Sequence, residues 1–230
     1  MGRSAITLVL LGTAVAAFTG HALAAPVTVS IEGAVIGISD YSPLRGKVRI
    51  GDLITGSYTY DSSATDAQPD TEHSGRYEFD SPWCGIELNV GGFSFASDTQ
   101  YPSFSVAIMN DRVTTRGMHD IYEVTSLNNL PFAPDVPIVS ISLTLYDSSA
   151  GALDSTALTT TSPPLSDWPI SQLQVNGKDW ALYLDGKVTS LTVIPEPAGA
   201  ILLALGVPAL LRRRRNRRAA AAGKFRRTYL

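Results

Sequence analysis

Residues 25–194 are predicted to form an all-β fold, a single antiparallel domain of β-sandwich or jelly-roll type. Three observations predict it. About eleven short runs alternate apolar and polar residues with period two. Dipeptides suited to tight turns fall between several of them. No stretch of about twelve residues in this region sustains a 3.6-residue apolar period.

The runs follow in order: VTVSI (27–31), LITGSYTY (53–60), RYEF (76–79), IELNV (86–90), FSF (93–95), FSVAIM (104–109), IYEV (121–124), IVSISLTLY (138–146), LQV (173–175), WALYL (180–184) and VTSLTV (188–193). Each is rich in β-branched and aromatic residues and bounded by Gly, Asp, Asn, Ser or Pro, the residues of turns. Gly91-Gly92, Asn176-Gly177 and Asp185-Gly186 read as two-residue hairpin turns. The last two make 171–193 a three-stranded meander. The irregular stretch 147–169, with Pro163-Pro164, reads as a surface loop holding one helical turn near 153–158. No internal repeat and no second domain is evident.

Both ends read differently from the middle. Arg3, the apolar stretch 5–18 and the small residues Ala22 and Ala24 have the order of a secretory signal peptide, residues 1–24, cut after Ala24 by signal peptidase. At the other end Pro195-Glu196-Pro197 precedes an apolar segment, 198–211, and then Arg212, Arg213, Arg214 and Arg215. Fourteen residues at about 1.5 Å each make a helix of about 21 Å, short of the roughly 30 Å hydrocarbon core. Four arginines stop translocation, since each costs about 2.5–3.5 kcal/mol at the bilayer centre. The basic tail, 219–230 included, is then cytoplasmic and 25–194 lies outside. Two prolines keep the tripeptide extended and remove two backbone donors, so an enzyme at the membrane surface can reach it.

The formal net charge of −3 hides a split. Residues 25–194 hold 8 Lys and Arg against 20 Asp and Glu, a net of −12, while 212–230 hold nine basic residues and no acidic one. An acidic domain argues against nucleic acid or anionic lipid as partner. Cys84 is the single cysteine, so the domain has no internal disulfide, and a buried structural thiol is the expectation for it.

The stretch VIPEPAGAILLALGVPALLRRRRNRR (193–218) resembles a PEP-CTERM sorting signal, found on exported proteins of exopolysaccharide-producing Gram-negative bacteria. Pro195, Glu196 and Pro197 match the motif, and Arg212 to Arg215 match its basic cluster. Such signals usually end just after the arginines, whereas this chain continues through AAAAGKFRRTYL. The resemblance implies that an exosortase, a membrane-embedded cysteine transpeptidase, recognises the tripeptide and cleaves near it. ITGSYTYDSSATD, RYEFD, IELNVGGFSF and LTLYDSSAGAL are similar to an exported β-domain that recurs ahead of such signals. That resemblance implies a fold and no chemistry.

Candidate sites are few. Asp61, Asp66, Asp70 and Glu72 put four carboxylates in twelve residues, oxygen ligands of the kind Ca²⁺ takes, but their spacing matches no calcium motif and suits a solvated loop equally. Asp111, Asp120 and Glu123 form a second acidic group. Trp83, Trp168 and Trp180 are aromatic surfaces on which sugar rings stack; Trp180 opens a strand, and Trp168, between Asp167 and Pro169, is the one expected to be exposed. No G-x-S-x-G, no H-E-x-x-H and no phosphate-binding glycine loop occurs, and no catalytic residue or cofactor is assigned. The reading is an exported protein, not an enzyme. It is held briefly in the inner membrane and moved by an exosortase to the cell surface or matrix, with a structural or adhesive role beside extracellular polysaccharide. The alternative is a glycan- or Ca²⁺-binding β-sandwich module.

Overall fold

A computed structural model describes residues 26–195 except residue 116. The leader 1–24 with Ala22 and Ala24, the Glu196 and Pro197 of the sorting motif, segment 198–211, Arg212 to Arg215 and the 219–230 tail lie outside the described residues. So does the Trp180 side chain.

Ten strands form: β1 (Pro26–Ile38), β2 (Leu53–Asp61), β3 (Ser74–Phe79), β4 (Gly85–Val90), β5 (Phe93–Ala96), β6 (Phe104–Thr114), β7 (Gly117–Ser126), β8 (Ile138–Asp147), β9 (Ile170–Gly177) and β10 (Tyr183–Ile194). All pairings are antiparallel, in the order β3-β6-β7-β8-β9-β10-β1-β2-β4-β5. The ladder is unbroken, so the fold is one strongly curled sheet, a half-barrel, and not the two stacked sheets of a sandwich. The reason lies in strand length and irregularity. β1 is 13 residues long and bends at register shifts after Glu32 and Val35. Bulges of this kind add twist, and a long twisted sheet closes on its own concave face.

That concave face is the core. Ile141, Leu143 and Leu145 of β8 point inward and are fully buried, as are Val29 and Ile31 of β1 and Leu88 of β4. The intervening residues face outward, as period-two alternation requires. Strands remote in the sheet order meet across the interior. The hydroxyls of Tyr58 on β2 and Tyr122 on β7 lie 3.1 Å apart. Tyr60, Phe79 and Phe104 of β2, β3 and β6 form a chain of rings with centroids 6.2 and 5.6 Å apart. An isolated bridge between Ser97 and Asn129 ties the end of β5 to the connection after β7.

Turn chemistry divides the glycine dipeptides. Gly91 and Gly92, at φ 56° and 82°, make the expected two-residue turn between β4 and β5. Asp185-Gly186 makes none: both residues lie inside a continuous β10. Gly186 faces the core, and a Cβ there would come within 2.4 Å of Ile54 Cδ1, so the glycine serves close packing instead of a turn. Asn176-Gly177 ends β9, and the reversal is made by 178–182, with a 3₁₀ turn at Lys178–Trp180. The region 171–193 is therefore two strands, not three.

The 147–169 connection also departs from expectation. It has no helical turn near 153–158; its 3₁₀ turn is at Leu165–Asp167. It lies against the open side of the half-barrel, where Ala152, Leu153, Leu158 and Leu165 pack on the core and Trp168 is buried. Its backbone groups find partners there. The Tyr77 hydroxyl donates to Thr156 O at 3.0 Å and accepts from Leu158 N–H at 3.1 Å, and the Tyr60 hydroxyl donates to Thr159 O. A connection without strand partners can be buried only when such donors and acceptors are supplied.

Candidate functional site

The acidic loop after β2 holds an edge of the sheet. Asp61 Oδ1 accepts from the Ser63 N–H and hydroxyl at 2.8 and 2.7 Å. Asp66 Oδ1 accepts from the N–H groups of Gln68 and Arg76 at 2.8 and 2.9 Å, and Ala67 N–H donates to Arg76 O. The loop thereby covers the free side of β3, which a sheet needs at its edges. Asp70 and Glu72 are exposed. Among the described residues no three His, Cys, Asp or Glu side chains converge as a metal site.

Asp111, Asp120 and Glu123 do not form one cluster. Asp120 points inward and is fully buried, while Glu123, three residues on, faces out. Asp111 sits at φ 53° in a bulge of β6, and its N–H donates to Asp120 Oδ1 at 2.8 Å. The partner of Asp120 in the ladder is Asp147. Both carboxylates are buried and satisfied by backbone. Asp120 Oδ2 accepts from the N–H groups of Ala152 and Leu153, and Asp147 Oδ2 from Gly151 N–H, all at 2.9 Å. Ser149 N–H and hydroxyl donate to Asp147 Oδ1 at 2.8 Å. The N–H of Gly151, then that of Ser149, lower the Asp147 pKa below its ordinary 3.8. The pair pins the start of the connection that covers the core. Sequence reading missed it, though a signal exists: Tyr-Asp-Ser-Ser-Ala occurs at 60–64 and again at 146–150, and each Asp caps the Ser two residues on.

The other named residues are dispersed. His119 is buried against the Tyr146 ring, 5.3 Å between centroids, while His73 is exposed and bonds Asn110 O. Asp120 follows His119 in the strand and so points to the other face. Cys84 is buried, and burial pushes its thiol up to about 11. Trp168, expected at the surface, is 3% exposed, and among the described residues its Nε1 has no hydrogen-bond partner. The leucine-rich connection carries it inward, so it offers no platform to a sugar. Trp83 remains 41% exposed.

The convex face of β8, β9 and β10 brings together residues that sequence reading did not single out. Three cross-strand rows run over it: Ser140–Asn176–Tyr183, Ser142–Gln174–Asp185 and Thr144–Gln172–Lys187. Thr125 and Glu123 of β7 extend the last two. No row contains an aliphatic residue. Gln172 Nε2 donates to Asp185 Oδ1 at 2.9 Å, Gln174 Nε2 to the Tyr183 hydroxyl at 3.2 Å, and Asn176 Nδ2 to Ser140 Oγ at 3.1 Å. At one end of the face a cleft of about 550 Å³ is lined by Ser140, Gln174, Asn176, Lys178, Asp179 and Tyr183. Asp179 stands at φ 55°, a left-handed conformation uncommon outside glycine. Such an arrangement can donate and accept hydrogen bonds.

No family model matches the chain, and neither a curated protein nor a solved structure matches it.

Proposed function

We propose that the chain is an exported protein of the cell surface or extracellular matrix, with a structural or adhesive role, delivered by its two ends. The leader 1–24 directs export and is removed by signal peptidase. Segment 198–211 and Arg212 to Arg215 hold the chain in the inner membrane, and an exosortase cuts at or near Pro195-Glu196-Pro197. The observation that carries the reading is the order of these parts: an extended tripeptide, an apolar run too short to be a comfortable span, and a basic stop.

The position of the ends agrees with this route. Thr28 pairs with Ile194, so the first and last strands leave the sheet side by side. Two membrane-directed segments can then serve one orientation of the domain. Pro195 is exposed and follows β10 directly, and having no N–H it cannot extend the ladder. The deciding experiment is C-terminal sequencing of the surface-exposed form, from cells with and without the exosortase. Cleavage near 195–197 is expected only where the enzyme is present. An intact tail in its presence would leave a plain anchor.

A further inference from the structure

We propose that the convex face of β8, β9 and β10 is a binding site for a neutral saccharide, which lies across Gln172, Gln174 and Asn176 and reaches into the cleft beside Tyr183. The site deepens the matrix role given above, and rests on it for its setting, by naming a ligand class and a face.

The chemistry of the amides selects the ligand. Each of the three spends one N–H on a neighbouring side chain, to Asp185, Tyr183 or Ser140. Among the described residues its other N–H and its carbonyl oxygen have no protein partner. Every amide therefore offers one donor and one acceptor to the outside, in an orientation its neighbour fixes. A sugar hydroxyl also donates and accepts at once, so it can satisfy both. The amides occupy alternate positions of β9, about 6.6 Å apart, and so address a row of hydroxyls instead of a single group. Tyr183, which accepts from Gln174 Nε2, also lines the cleft. Side chains already held by hydrogen bonds lose little freedom on binding.

Charge and polarity exclude the competing ligands. Lys178 and Lys187 are offset by Asp179, Asp185 and Glu123, and residues 25–194 carry a net of −12. Uronates, sulfated glycans, phosphates and nucleic acid meet repulsion there. A protein partner that docks through an apolar core finds no aliphatic residue in the three rows, and only Val139 stands at the rim of the cleft.

Affinity electrophoresis of the full chain in mild detergent tests the site. The gels contain hydroxyethyl cellulose, dextran or galactomannan as neutral polymers and alginate as the anionic one. Retardation by at least one neutral polymer and none by alginate is expected, with a tenfold or greater weakening in Gln174→Ala/Tyr183→Ala at an unchanged thermal midpoint. Should that variant lose its cooperative melt, the isosteric Gln174→Glu is read instead and must show the same weakening. No retardation by any neutral polymer, equal retardation of wild type and variant, or preference for alginate overturns the proposal. Sequencing of the C-terminus separates the two ideas. A clipped chain that is not retarded removes the saccharide site alone, and a retarded chain with an intact tail removes the delivery route alone.

Discussion

Tyr58 and Tyr122 meet hydroxyl to hydroxyl, 3.1 Å apart, across the interior from strands separated by four others in the sheet. Burial holds both in the neutral form: Tyr58, raised further by Tyr122, lies well above the ordinary pKa of 10, and Tyr122 is raised by burial and by Tyr60. Tyr58→Phe or Tyr122→Phe leaves one buried hydroxyl without its partner and should cost about 1–3 kcal/mol. The double replacement removes the need together with the bond, so it should cost less than the sum of the singles. Urea denaturation of the four proteins checks this; strict additivity would deny the coupling.

The same burial gives an alkaline limb to stability. Tyr60 is pushed up to about 12 and Cys84 to about 11, each chiefly by desolvation. The unfolded chain sheds these protons first, so it binds fewer than the native state between the two pKa values, and stability falls as pH rises. The loss should begin near pH 9 with the thiol and steepen from pH 10 to 12 as the tyrosines titrate. Denaturation midpoints across pH 8–12 read it, and a flat profile would contradict it.

Gly186 and Ile54 share one space. Gly186→Ala puts a Cβ within 2.4 Å of Ile54 Cδ1 and should destabilise by about 1–3 kcal/mol. Ile54→Val removes that methyl and alone should cost about 0.5–1.5 kcal/mol. In the double variant the two changes should compensate, giving a stability near that of Ile54→Val. Thermal or urea unfolding of the three variants tests this, and a double variant no better than the sum would place the strain elsewhere.

Two aspartates make the same cap at different depths. Asp147→Ala frees the N–H groups of Ser149 and Gly151 at a buried site and should cost about 2–4 kcal/mol. Asp61→Ala, nearer the surface, should cost about 0.5–1 kcal/mol, as loss of an ordinary cap does. Because the Asp147 pKa is lowered in the fold, its contribution is present at neutral pH and is lost as pH falls below 3.8. The acid limb of the wild-type profile should flatten in Asp147→Asn.

Trp168 is large and buried, and its Nε1 has no partner among the described residues. Trp168→Phe removes the unsatisfied donor and most of the fit survives, so stability should change by no more than about 1 kcal/mol. Trp168→Ala should cost about 3–5 kcal/mol through the cavity it leaves. A large loss in the phenylalanine variant would show that the indole nitrogen has a partner after all.

Alternation told which side chains of β8 and β9 face the core, because a two-residue period has one buried set. It could not tell one curled sheet from two stacked ones, since both bury alternate residues alike. Asp185-Gly186 looked like a turn because the dipeptide fits one; what decides against it is Ile54, 132 positions away in the chain. The place of Trp168 in an irregular stretch, between Asp167 and Pro169, suggests exposure, yet its connection carries enough leucine to be drawn onto the core. The amide rows were invisible for a further reason. Gln172, Gln174 and Asn176 are unremarkable in a sequence, and only the register with Asp185, Tyr183 and Ser140 makes them a surface.

The pairing of β1 with β10 also decides how the domain carries mechanical load. Pulling residue 26 away from residue 195 would unzip the two strands from their shared end, each cross-strand pair breaking in turn at low force. Tension between residue 195 and the convex face runs lengthwise through β10, which bears Tyr183 and Asp185 and is flanked by β1 and β9. Where the grip is on Gln172, Gln174 and Asn176 of β9, the hydrogen bonds between β9 and β10 resist together in shear. A domain tethered by its last strand and gripped on the strand beside it is strong along that line and weak across its own termini.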